Sequence, residues 1–164
     1  SATFTGQIIS KFESSLAILP ILTAYIPMLM DTGGNAGSQS SVTIIRSLSL
    51  NQINFKDIGR VIWKELRVSI MVGATLAVAN FLKLILIDKM LLNNSSITTE
   101  IAIVICLTIF MIVIVAKFIG CTLPLITKKL GFDPTVMASP FITTIVDALG
   151  LIVYFKIATS LLEL

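Results

Sequence analysis

Ser139, Thr143 and Asp147 stand four residues apart, so a helix carrying them would line all three along one face. The surrounding stretch reads as such a helix. Asp133 is a good N-cap, and Pro134 suits the first helical position, where no backbone donor is needed. From there to about Leu162 the chain is apolar and long enough to cross a membrane, with one acid, Asp147, near its middle. An ionisable group at bilayer mid-depth costs roughly 2.5–3.5 kcal/mol on insertion scales. A cost of that size marks an ion path, a proton relay or a buried ion pair. For the last of these, the partner would be Lys117, which also lies well inside an apolar run.

Composition supplies the setting. The 164 residues are 55% hydrophobic and 13% charged, with a mean hydropathy of +0.99, too few polar side chains to cover a soluble domain of this size. The sequence therefore implies an all-α integral membrane protein, because its apolar runs are too long for barrel strands. A net charge of +3 is too small to imply nucleic acid and fits instead the lysine and arginine bias of cytoplasmic loops. With no histidine, the commonest general base and transition-metal ligand is missing, and an enzyme is not expected. An intramembrane enzyme would need a nucleophile with a base or a bound metal, and only scattered Ser, Thr and Lys are on offer. Cys106 and Cys121 fall about 22 Å apart in one helix, cannot pair, and read as apolar filler.

These residues must be positioned by five spans. Residues 2–12 read as the tail of a membrane helix truncated at its N-terminus, in a chain that looks trimmed at the front. A second run, Leu16 to Met30, contains Pro20 and Pro27, and Pro27 should kink it. It leads into Asp31–Ser41, rich in Gly, Asn and Ser. Read as helix, Gly33 and Gly37 form a small-xxx-small pair that lets a neighbour approach closely, with the amides of Asn35 and Gln39 on an adjacent face. Close packing or a broken helix lining a cavity is favoured over a solvated linker. Asn54 caps the next helix, with Asp57 in its first turn. That helix opens with Lys56, Arg60, Lys64 and Arg67 around Trp63, a membrane-surface section, and crosses from Val68 to Ile87, with Lys83 snorkelling near the end. Asp88–Glu100 is a polar connection. The fourth run, Ile101 to Ile126, contains Lys117 and Pro124, and Gly131 is suited to its C-cap. The basic connections around Arg46–Arg67 and Lys128–Lys129 belong on the cytoplasmic side, which puts the C-terminus outside.

The motif Pro27-Met28-Leu29-Met30-Asp31-Thr32-Gly33-Gly34-Asn35-Ala36-Gly37-Ser38-Gln39 resembles the signature of the MgtE-type magnesium channel family. Ser139 to Asp147, followed by Gly150, resembles that family's last membrane helix. The resemblance implies a homodimer in the plasma (inner) membrane, five helices per subunit, with an ion path along the two-fold axis. It implies that Asp147 faces a hydrated Mg2+ from both subunits, with Thr143 and Ser139 beside it, and that Pro27, Gly33, Gly34, Asn35, Gly37 and Gln39 form the pore and packing motif. Residues 1–164 then read as a single transmembrane channel domain. The family's cytosolic N-terminal and CBS domains, which act as regulatory partners, are not in this stretch, and an acid at Asp31 is not a fixed feature of the family. Magnesium fits the residues, since it sheds water reluctantly and is commonly held through one or two carboxylates with its waters kept. The competing readings are a proton-coupled cation carrier, and a membrane subunit in which Asp147 is a structural ion pair with Lys117.

Overall fold

The computed structural model describes residues 2–12, 20–94 and 96–162, with side chains for all of these except residues 2, 4, 55 and 136–140. The described residues form five α-helices and no strands. They are α1 (Ala2–Lys11), α2 (Ile21–Ser49), α3 (Ile58–Leu82), α4 (Thr99–Lys129) and α5 (Pro134–Leu161). A 3-10 turn, Phe55–Asp57, precedes α3, and a π-helical segment, Lys83–Leu91, extends it. Among the described residues three helical stretches are long and apolar enough to cross a membrane: Ile58–Leu91, Thr99–Lys129 and Phe141–Leu161.

Local chemistry sets the helix ends much as the sequence implies. Asp133 accepts the Thr135 N–H at 2.8 Å and Pro134 opens α5. Gly131 takes φ +82° just after α4, a left-handed conformation in which a side chain would be strained. Asp57 accepts the Asn54 N–H at 3.0 Å at the start of the 3-10 turn. The Thr98 hydroxyl caps α4 by accepting the Ile101 N–H at 3.2 Å.

Helix α4 is the central post. In its most apolar window 61% of residues are buried within the protein, against 11% for the α3 stretch, which leans on α4 from outside. Helices α2 and α5 pack on α4 and on each other, and α1 lies on α5, where Phe12 stacks on Phe155 with ring centroids 4.8 Å apart. The core runs from Leu22 and Leu29 through Ile105, Ile109 and Ile112 to Ile142, Tyr154 and Phe155. Cys106 and Cys121 are both buried free thiols, filler as expected.

Two expectations need correction. Asp31–Ser41 is neither a break nor a linker: α2 is one helix of 29 residues that runs through Pro27 and both glycines. The helix continues unbroken through the stretch, so packing against α4 and α5 needs no unwound segment. Asp88 does not begin a polar connection, and Lys83 does not simply snorkel. The helix extends to Leu91, Asp88 is buried, and Lys83 bridges to it at 2.6 Å, with the Tyr25 hydroxyl donating to the same carboxylate at 3.4 Å.

Candidate functional site

The α2–α5 crossing is built on missing side chains. A Cβ at Gly33 would come within 2.6 Å of Ile112 Cγ2 and 2.9 Å of Val146 Cγ1. One at Gly37 would meet Ile142 at 2.9 Å and the Ala116 carbonyl at 3.1 Å. On α4, a Cβ at Gly120 would run directly into the Gly37 carbonyl. The small-xxx-small pair is therefore a three-helix crossing point, and glycine is required there by close approach rather than by turn geometry.

This packing fixes the register between α2 and α5. Gly33 lies against Val146, Gly34 against Thr143, Gly37 against Ile142, and Gly150 against Met30. By this antiparallel pairing Asp147 sits level with Thr32, one residue from Asp31. Thr143 and Asp147 are half-buried, on the side of α5 next to the buried ridge Ile142, Val146 and Gly150. Ser139 continues the helix one turn earlier, and its side chain lies outside the described residues. On α2 the exposed positions Pro27, Asp31, Asn35, Gln39 and Arg46 recur at helical spacing as a mostly polar stripe. Within it the Asn35 amide donates to Asp31 at 3.1 Å.

Lys117 does not pair with Asp147. Its ammonium donates to Ser40 Oγ at 3.0 Å and lies 3.4 Å from Glu65, while the Ser40 hydroxyl donates to the same Glu65 oxygen at 2.7 Å. This triad ties α2, α3 and α4 together, and all three side chains are largely withdrawn from solvent. Glu65 was hidden among the cations of a section that reads as membrane surface. The signal that could have found it is Lys117 itself, since an ammonium in an apolar run demands a partner, and the charges nearest in sequence need not supply it. Asp147, in contrast, has no hydrogen-bond or ion-pair partner among the described residues. Nor do three acids or thiols converge there into a metal cluster.

The helix ends carry the remaining electrostatics. The cationic ends of α2, α3 and α4 meet around Ile44, Cys121 and Leu125, packed by Leu48, Ile58 and Ile62. Arg46, Arg60, Lys64, Lys128 and Lys129 thus gather at one end of the bundle. Asp133, also at that end, is held below the usual carboxylate range by the Thr135 N–H that it accepts.

A family model described as divalent cation transporter, MgtE, matches residues 26–157, which includes every one of the residues above. The chain belongs to the MgtE family. It is 33% identical over 159 residues to a protein named magnesium transporter MgtE from Thermus thermophilus, and 35% identical over 159 residues to one of the same name from Bacillus subtilis. A third, from Enterococcus faecalis, is 30% identical over 159 residues. Each alignment covers 97% of this chain but only 33–34% of the relative, so the chain spans about a third of the length of the MgtE proteins it matches. Three candidate spans in a transporter family make this a multi-pass membrane protein.

Proposed function

We propose that this MgtE-family chain forms the transmembrane domain of a magnesium channel, in which two copies enclose a path lined by α2 and α5. Asp147 is the acid that faces the ion from each copy. The observation that carries this reading is that Asp147 is unpaired among the described residues while Lys117, the partner the sequence offered it, is taken by Glu65 and Ser40. A half-buried carboxylate without a counter-charge at mid-membrane is costly unless water, a cation or a second copy of the chain meets it. The polar stripe of Asn35 and Gln39 on α2 supports the same path, since it leaves amides where a lipid-facing helix would carry apolar groups.

In this reading magnesium is cargo and keeps most of its water. Among the described residues no three acids or thiols group into a cage, and a hydrated ion asks only for one or two carboxylates and outer-sphere acceptors. Thr143 and Ser139 supply those acceptors one and two turns before Asp147. Two Asp147 carboxylates brought together would repel, and a dication relieves that repulsion. The close crossing at Gly33, Gly37 and Gly120 holds the backbone frame rigid, so that the carboxylates keep their separation as ions pass. The basic end faces the cytoplasm and the C-terminus lies outside, in the plasma membrane.

The chain reconstituted into liposomes loaded with a magnesium-sensitive dye tests this. The expected result is uptake driven by membrane potential alone, reduced at least tenfold in Asp147→Asn. Uptake that follows an imposed pH gradient and vanishes without one would replace the channel by a proton-coupled carrier. Undiminished uptake in Asp147→Asn would remove Asp147 from the path.

A further inference from the structure

We infer that the start of α3 is a binding site for an anionic phospholipid, with the headgroup phosphate held by Arg60, Lys64 and Arg67 beside Trp63. These four residues lie at helical spacing on one face, and all four are exposed. Trp63 is 58% exposed and the Arg67 guanidinium lies 5.9 Å from its ring centroid, within cation–π range. That contact holds one flank of the guanidinium against the ring and leaves its N–H fork available to phosphate oxygens.

The cations are not neutralised by any described acid. The two acids nearest in sequence are turned elsewhere: Asp57 accepts the Asn54 N–H, and Glu65 is occupied by Ser40 and Lys117 on the inner side of the helix. No described acid forms an ion pair with Arg60, Lys64 or Arg67. The charge is therefore open to an external anion.

Length and continuity make that anion a lipid. The helical stretch Ile58–Leu91 has 34 residues, roughly 50 Å at 1.5 Å per residue, whereas the hydrocarbon core is about 30 Å thick. A crossing from Val68 onward leaves the first turns of α3 at headgroup level. The same face then continues as Met71, 71% exposed, Val78, 61% exposed, and Leu82. A single stripe thus offers cations to a headgroup and apolar side chains to the acyl chains below it, the two halves of one lipid molecule. Trp63 stands among the cations at that level, where the apolar ring and polar N–H of a tryptophan suit the membrane interface.

Trp63 is the sole tryptophan, so its fluorescence reports this site alone. The protein is reconstituted in bilayers containing brominated phosphatidylglycerol or brominated phosphatidylcholine, and the quenching of Trp63 is compared. A preference for the anionic lipid of at least about fivefold in relative association constant is expected, the worth of about one basic side chain at an anionic surface. In the triple variant R60Q/K64Q/R67Q the ratio should fall to about one. The wild-type preference should also collapse in about 1 M salt, where charges are screened within roughly 3 Å. Equal quenching by the two lipids in the wild type, or a preference indifferent both to salt and to the three substitutions, would overturn the site.

Discussion

Removing the carboxylate of Glu65 should destabilise the protein far more than removing that of Asp147, although both acids lie within membrane helices. Lys117 is only 7% exposed and its sole described counter-charge is Glu65. Glu65→Leu would strand an ammonium between α2, α3 and α4 with only the Ser40 hydroxyl for company. Breaking a buried pair by deleting one partner costs about 3–5 kcal/mol, whereas replacing both by apolar side chains is often neutral or stabilising. Glu65→Leu and Lys117→Met should therefore each lose about 3 kcal/mol or more, and the double variant should recover most of it. The coupling energy would then exceed the cost of either single change taken alone. Asp147→Asn should cost little, because no described partner is lost. The measurement is unfolding in mixed micelles with increasing dodecyl sulfate, followed by far-ultraviolet circular dichroism, for the full double-mutant cycle. An additive cycle for Glu65 and Lys117 would refute the triad as an energetic unit. Coupling of Lys117 to Asp147 would restore the ion pair that the structure argues against, and with it the reading of Asp147 as a structural residue.

Two further outcomes follow from the packing and the caps. Gly120→Ala should disrupt the bundle, since the new methyl group meets the rigid carbonyl of Gly37 rather than a side chain that can rotate away, whereas Gly59→Ala, with open space around it, should leave thermal stability unchanged or slightly raised; equal effects of the two in a thermal melt would contradict the crossing. Asp133 has a depressed folded-state pKa, so its cap is fully present above the ordinary value of about 3.9 and is lost only as pH falls through the lowered one. A carboxyl NMR titration should give Asp133 a midpoint below about 3.9, and a midpoint at or above that value would rule out the Thr135 bond in solution.

Much of the scaffold was legible because helices in a membrane are specified locally. Asp133-Pro134 and Gly131 set the α4–α5 corner through backbone geometry that depends on neighbours in sequence. The long apolar runs declare spans because no other structure satisfies the backbone in lipid. The face shared by Thr143 and Asp147 followed from a spacing of four residues, and the glycine pair announced close packing by its spacing as well. The lack of a break in α2 was less legible. A stretch of Gly, Asn and Ser has weak helix propensity, and only burial against two neighbouring helices makes the continuous form the stable one.

What the tertiary structure alone decided is the pairing of charges. Sequence placed Lys117 and Asp147 inside spans and made each a candidate for the other. The choice depended on which faces of α3 and α4 meet, and that is a matter of helix rotation and register, to which local spacing is blind. The fold turns Lys117 toward Ser40 and Glu65, and turns Asp147 to the side of α5 that also carries Thr143. An ion pair needs its two charges within about 4 Å, so which pair forms depends on how each helix is rotated and in what register it packs. The sequence by itself thus determined that charges are buried, and the packing of α4 between its neighbours decided which of them is left without a partner among the described residues.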